Sequence, residues 1–277
     1  MKNVRMGNAR TKEIATLLLE AKAHGRMIER PGSGLDRFEL KDGYTVYAEV
    51  DARLRQEGFV PAGRKLGFTN KATWREFDLA TPIWAYVYDR TLNFADRRLL
   101  EIAVSGLVAP RIEPEVVLKL KAIPDVRDDT AGMVDAIEWV AIGFEIVDCH
   151  FADWQFTAAE IIADFGAHSR LIVGEPLKVD ERSRPALTRT LEELTVSLRC
   201  DSSLIDTGVG SNALGGPLNT LGFLMDALDA QDWAEDLRTG EVITTGTLTE
   251  IPYIHPGECW TVEVRGMDLN PLSIQLL

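Results

Sequence analysis

The sequence predicts an α+β protein in which a helical N-terminal arm, residues 1–60, precedes one β-rich domain, residues 61–277. Three observations carry that expectation. Apolar residues before Pro61 recur at helical spacing. After it, short runs rich in β-branched residues dominate, set off by Gly, Pro and Asp. No repeat, low-complexity tract or evident linker divides the 277 residues, which are enough to bury a substantial core.

Taken in order, residues 8–29 read as an amphipathic helix, with Ile14, Leu17, Leu18 and Ala21 on one face and Lys and Glu between them. The segment RPGSGLD, 30–36, has strong turn chemistry. A second helix is expected over 42–58, with Tyr44, Val46, Tyr47, Val50 and Leu54 as its apolar face. Strands are then expected at 64–69, 83–89, 111–120, 139–148, 170–174, 194–200, 242–249 and 259–266. Two helices interrupt them, one near 130–138 and one over 217–231 with Pro217 in its first turn. Trp84, Trp154 and Trp233 read by default as core.

The net charge of −13 argues against nucleic acid and anionic membrane surfaces, which require clustered Lys and Arg. It does not argue against an acidic substrate, because a bound divalent cation reverses the local field. The N-terminus lacks the apolar core and cleavage site of a signal peptide, and no stretch approaches the length needed to cross a bilayer. Cys149, Cys200 and Cys259 are too few and too scattered for a disulfide scaffold or a zinc site. A reduced, cytoplasmic protein is the expectation.

The most informative stretch is RIEPEVVLKL, 111–120. On a strand, residues two apart share a face, so Glu113 and Glu115 project side by side among Ile112, Val116, Val117 and Leu118. Two adjacent carboxylates beside an apolar strand call for a positive partner, and carboxylate oxygens suit Mg²⁺ or Mn²⁺. By spacing alone, a solvated strand face with two glutamates in water is the simpler reading. Glu145 shifts the balance. It lies in the apolar run WVAIGFEIVD, where an unpaired carboxylate would be expensive, and it supplies a third oxygen ligand from a second strand. Asp148, which ends that strand, reads as a turn residue or a support to the ligands. The chain has no G-x-S-x-G elbow and no convincing Cys–His pairing, so nucleophilic catalysis by Ser or Cys is not expected.

Six segments in order carry a resemblance: GRKLGFTNKA (63–72), PIWAYVYD (82–89), PRIEPEVVL (110–118), FEIVDCHFADWQFTAAEIIAD (144–164), GVGSNALGGPLN (208–219) and GEVITTGTLT (240–249). Each is weak alone, but the ordered set is strong, and from about residue 60 onward the chain resembles the hydratase/decarboxylase branch of the fumarylacetoacetate hydrolase superfamily. The resemblance implies a mixed, β-rich roll around a metal, with Glu113, Glu115 and Glu145 as the ligands of Mg²⁺ or Mn²⁺. It places Lys65, in the pattern G-x-K-x-G-x-T, as an active-site lysine that binds the substrate carboxylate or relays protons. It places Asp89 as an acidic residue in proton transfer, against the plain alternative of a turn residue that ends a strand.

This chain departs from the family pattern in two places. Family Ala-Asp-Asn-Ala-Ser becomes Ala163-Asp164-Phe165-Gly166-Ala167-His168-Ser169, and family Gly-His-Pro becomes Gly215-Gly216-Pro217. The first sixty residues match poorly. Substrate contacts are expected at Phe165, His168, Ser169 and Thr247. His168 is either a general base near neutral pH or a loop histidine without a chemical role. His150 and His255 read as bland residues beside strand ends.

The implied activity is that of a lyase on a small 2-oxo-enoate or 2-hydroxydienoate, of the kind met in aromatic meta-cleavage catabolism. Glu-Pro-Glu at 113–115, Pro-Ile-Trp-Ala at 82–85 and the segment 155–164 narrowly favour decarboxylation of 4-oxalocrotonate, a 2-oxo-3-enedioate. Hydration of 2-hydroxypenta-2,4-dienoate is the alternative. Hydrolysis of an acylpyruvate would need a His/Glu pair upstream, for which His24 and Glu29 are the candidates. A non-catalytic homologue is the reading from a different class. The expected partner is a small 2-oxo acid, with no nucleic acid or membrane partner, in a homo-oligomer.

Overall fold

Helical spacing near the N-terminus does give a helix in the computed structural model, which describes residues 7–33, 37–95, 99–125 and 130–277. α1 (Asn8–His24) buries Thr11, Ile14, Ala15, Leu18 and Ala21 along one face. It stops short of the expected residue 29 because Gly25 turns left-handed (φ 55°, ψ 50°) and returns its N–H to the Ala21 carbonyl. Of the expected loop 30–36, residues 34–36 lie outside the described residues. α2 (Leu40–Gln56) begins two residues before its expected start. There the side chains of Glu39 and Asp42 each accept the other's backbone N–H, a reciprocal cap. Its face of Tyr44, Val46, Tyr47, Val50 and Leu54 is buried as the spacing requires.

The remaining chain alternates short strands with short helices. β1 (Pro61–Gly67), β2 (Ile83–Tyr88), β3 (Leu92–Phe94), β4 (Leu100–Ile102) and β5 (Arg111–Leu120) come first. α3 (Thr130–Met133) runs through a 3₁₀ turn into β6 (Ile137–Val147), so the helix expected near 130–138 is shorter and the strand starts earlier. α4 (Ala158–Ala163), β7 (His168–Val173), β8 (Leu177–Lys178), α5 (Leu187–Glu193), β9 (Thr195–Cys200) and β10 (Ser203–Val209) follow. α6 (Asn219–Asp229), β11 (Val242–Thr247), β12 (Cys259–Arg265) and β13 (Leu272–Leu276) complete the order. Pro217 sits in the turn ahead of α6 rather than in its first turn, and its carbonyl accepts the Thr220 hydroxyl.

Two sheets result. The larger has the order β2-β1-β11-β5-β6-β7-β3, with β8 on β6; it is mixed, with β1–β11 and β3–β7 parallel. The smaller runs β10-β9-β12-β13-β4. The larger sheet curls so that its end strand β2 meets β7 across the open side. Side-chain alternation then divides it into two faces. The inner face carries a small cluster of Val87, Val117, Ala141, Leu171, Val173 and Val242. The outer face joins the main core, where Trp84 and Tyr86 pack against Tyr44 and Tyr47 of α2 and Trp84 stacks on Trp233 at 5.3 Å. Leu118 and Ile142 are buried there too, each worth about 1.5–3 kcal/mol. Glu113, Glu115 and Glu145 share strand parity with Val117 and Ala141, so they point inward.

Candidate active site

Three carboxylates meet because β5 and β6 pair in one register. Glu113 lies directly opposite Glu145, and Glu115 is two residues along the same face. Each offers one oxygen within 4.8 Å of the others. Glu115 and Glu145 are fully buried and Glu113 is 9% exposed.

Glu115 and Glu145 are each held by their own neighbours. In β11 the pairing slips between Thr244 and Thr247, a bulge that turns the Gly246 N–H toward Glu115 Oε2 at 2.6 Å. Gly246 takes φ 95°, and a Cβ there would lie 1.9 Å from Thr69 Oγ1, so only glycine fits. A second slip, between Ile146 and Val147 on β6, makes Val147 pair with His168 and leaves Ser169 as the extra, buried residue. His168 thereby meets Glu145 Oε1 through Nδ1 at 2.8 Å, while its Nε2 lies 2.9 Å from Thr91 Oγ1. Lys65 donates to the Gly166 carbonyl at 3.0 Å and sits 3.5 Å from Glu145 Oε2.

The charges do not balance. Burial pushes Glu113 up to about 7, against the pull of Lys65 and with the charge of Glu145 adding to the rise. Burial, with the charges of Glu145 and Glu113, drives Glu115 well above the usual carboxylate range. Burial also opposes ionisation of Glu145, but Lys65 and the His168 hydrogen bond outweigh it and hold this carboxyl below its ordinary value. Lys65 is the mirror image: burial works against its charge, and the three glutamates more than restore it. Burial keeps His168 neutral against the attraction of Glu145, which fits an Nδ1–H donating to that carboxylate. One ammonium cannot satisfy three buried carboxylates, and Glu115 Oε1 and Glu145 Oε2 have no hydrogen-bond partner. An all-oxygen set with orphaned, converging atoms fits a hard divalent cation.

The substrate-contact candidates fall in different places. Phe165, Gly166 and Ala167 all have left-handed φ, 58°, 58° and 62°, so the departure from the family pattern is also a strained turn. The Phe165 ring faces α1, with Lys22 Nζ 4.3 Å from its centroid, rather than the carboxylates. Thr247 is the ladder partner of Glu115, but its hydroxyl donates to the Thr249 carbonyl at 3.1 Å.

Asp89 requires a correction. It is exposed, and its carboxylate accepts from the N–H groups of Val60 and Arg90 at 3.0 and 2.9 Å. Lys65 pairs with Ala85, four residues back along the strand direction, a separation of about 13 Å. Asp89 therefore closes a turn at the far end of the ladder and does not reach the carboxylates.

Several contributors were not foreseen. Lys22 donates to the His168 carbonyl at 2.8 Å, Thr91 meets the His168 ring, and the buried pair His150–Asp164 at 2.7 Å anchors the left-handed turn. A glycine inside the strand pattern TTGT was a readable sign of the Gly246 bulge. Asp148 accepts from the backbone of Val108, Ala109 and Cys149, as a support rather than a ligand. Among the described residues no helix is long and apolar enough to cross a membrane.

No family model matches the chain. The chain is 24% identical over 249 residues to a 4-oxalocrotonate decarboxylase of Pseudomonas putida, covering 90% of this chain and 89% of that one. It is 27% identical over 266 residues to 2-keto-4-pentenoate hydratase 1 of Dechloromonas aromatica strain RCB, covering 93% and 94%. Its fold superimposes on the 4-oxalocrotonate decarboxylase from Pseudomonas putida G7 complexed with magnesium and adipate. That match has a TM-score of 0.87 at 23% identity, over 99% of this chain and 100% of that one.

Proposed function

Because this chain belongs to the hydratase/decarboxylase branch of the fumarylacetoacetate hydrolase superfamily, we propose that it is a divalent-metal-dependent lyase acting on a small 2-oxo-enoate. The observation that carries the reading is the set of three buried glutamates with two orphaned oxygens beside one buried ammonium. Glu113, Glu115 and Glu145 would hold Mg²⁺ or Mn²⁺. When bound, the cation supplies Lewis-acid polarisation to the carboxylate and keto oxygens of a 2-oxo acid.

The chain's own groups do the rest. Gly246 and His168 fix two carboxylates in place, so they need not reorganise when substrate arrives. Lys65, tethered to the Gly166 carbonyl, carries a buried positive charge suited to the substrate carboxylate and to delivering a proton. Ser169 and Thr247 flank the carboxylates and are kept as substrate contacts, and Phe165 acts through the turn that carries Gly166.

Decarboxylation of 4-oxalocrotonate is the preferred reaction, on the sequence features at 82–85, 113–115 and 155–164. In it the bond from C5 to the distal carboxylate breaks, CO₂ leaves, and the electron pair enters the conjugated enolate. A proton on the dienolate then completes the reaction, at oxygen to give 2-hydroxypenta-2,4-dienoate or at carbon to give an oxo acid, and Lys65 is the buried ammonium beside the carboxylates suited to deliver it. Hydration is the second reading, favoured by the likeness to a 2-keto-4-pentenoate hydratase. Acylpyruvate hydrolysis is less favoured, because His24 and Glu29 are exposed and lie on either side of the stop at Gly25. A cytoplasmic homo-oligomer, with 1–60 as an arm on the catalytic domain 61–277, completes the proposal. It is supported by three free cysteines and by exposed Leu204 and Ile205 on the edge strand β10.

The test is incubation with 2-oxohex-3-enedioate and with 2-hydroxypenta-2,4-dienoate in the presence of Mg²⁺, following CO₂ and ultraviolet absorbance. CO₂ from the first supports the decarboxylase, and conversion of the second to a hydroxy-oxo acid supports the hydratase. Full activity in EDTA, or in Glu145→Gln, would sink the metal-dependent reading.

A further inference from the structure

A cavity of about 250 Å³, lined by none of the three glutamates, lies at the seam where β2 approaches β7 beneath α1 and α2. Its walls are largely aromatic, with Tyr47, Tyr86, Tyr88, Phe59 and Phe165 supplying flat surfaces. Tyr86 and Tyr88 belong to the outer face of the sheet, whereas the glutamates point inward. Besides Glu57 at the mouth, Lys22, Thr91 and His168 break the apolar lining. Glu57 and Ala23, both exposed, mark the mouth.

His168 lines this cavity and also touches the candidate metal centre. Its Nδ1 meets Glu145 Oε1 at 2.8 Å, and its Nε2 meets Thr91 Oγ1 at 2.9 Å. Lys22 reaches the same residue from α1, through the His168 carbonyl at 2.8 Å, and lies over the Phe165 ring. An ammonium has three donors, so that single hydrogen bond leaves N–H groups for a ligand.

We propose that this cavity is a second binding site, for a small flat monocarboxylate, aromatic or enoic, coupled to the metal centre through His168. The size suits such a ligand: an apolar cavity of roughly 150 Å³ accepts benzene, so this one has room for a ring and one substituent. The aromatic walls select a flat hydrocarbon, and Lys22 selects an anionic group. Glu57 at the mouth disfavours a second carboxylate at the outer end, which separates this ligand from a dicarboxylic substrate. A carboxylate that draws Lys22 away from the His168 carbonyl alters how firmly His168 holds Glu145. Binding and metal affinity are then linked, and the linkage is reciprocal.

The probe is sodium benzoate, titrated calorimetrically into the full chain stripped with EDTA, so no turnover is required and the outcome is independent of the proposed reaction. One-site saturable binding is expected, about tenfold or more tighter than for neutral benzyl alcohol, since charge-assisted hydrogen bonds are about twice as strong as neutral ones. Lys22→Met, which keeps the side-chain length, should weaken benzoate about tenfold, and Ala23→Trp, on an exposed position at the mouth, should abolish binding. Glu113→Gln should leave benzoate binding intact. Saturating benzoate should also change Mn²⁺ affinity by a measurable factor. Absence of saturable binding would overturn the site. So would binding lost in Glu113→Gln and retained in Ala23→Trp. Binding that leaves Mn²⁺ affinity unchanged would overturn the coupling.

Discussion

At the scale of single residues, Lys65 decides what the three glutamates can do. Among the described residues it is the one ammonium beside them, and in the proposed role it would compete with a cation for Glu145 while serving a substrate carboxylate. Lys65→Met should therefore leave Mn²⁺ affinity equal or tighter and lower kcat/KM by about 100-fold or more, the usual size of a lost proton-transfer group. A variant weakened in metal binding, with kcat intact, would make Lys65 a structural residue. The glutamates also set a pH dependence in the metal-free protein. Glu113 titrates near 7 when folded against an ordinary value of 4.5, so the folded state holds more protons between those values. Stability without metal should fall as pH rises from about 4.5 to 7. Thermal melts in EDTA across that window check the sign, and a rise would contradict it. The triad itself was legible because strand parity alone puts Glu113 beside Glu115, and an apolar run identifies Glu145 as buried. Asp89 misled because ending an apolar strand says nothing about which end of the ladder faces the site. Lys22 and Thr91 were illegible because they reach His168 from 146 and 77 residues away.

At the scale of elements, two bulges aim the donors that hold the carboxylates. Gly246→Ala would force a left-handed alanine, about 1–2 kcal/mol by itself, and drive its Cβ into Thr69. The expected result is a lower melting temperature together with weaker Mn²⁺ binding, because the N–H on Glu115 moves with the bulge. A stability loss with unchanged metal affinity would show that this donor is dispensable. All eight strands expected from the sequence are present, within a few residues at each end. The elements not expected failed for identifiable reasons. α4 has all six residues buried, so no apolar stripe betrays it. β10 is mostly exposed and lacks the alternation that marks a half-buried strand. β13 does alternate, with Leu272, Ile274 and Leu276 buried, and is too short and too close to Pro271 to stand out.

At the scale of the whole molecule, the α+β class was readable and the strand order was not. β1 sits between β2, its neighbour in sequence, and β11, which begins 181 residues after β1 begins; nothing in local spacing encodes that choice. The curl that follows brings Lys65, from β1, to carboxylates on β5 and β6. The direct pairing of Glu113 with Glu145 across that sheet also bears on how the protein breathes. Without a cation, two buried carboxyl groups face each other near one end of the longest ladder with only Lys65 to compensate them, which favours transient opening there. A cation bound only by the folded form stabilises it by mass action, and most where the ligands reside. Hydrogen–deuterium exchange should therefore slow on Mn²⁺ addition in peptides spanning 111–120 and 137–147, and much less in those spanning 195–209. Equal slowing in both would mean that the ion tightens the molecule globally. The expected pattern would make the central ladder the place where metal loading governs local unfolding.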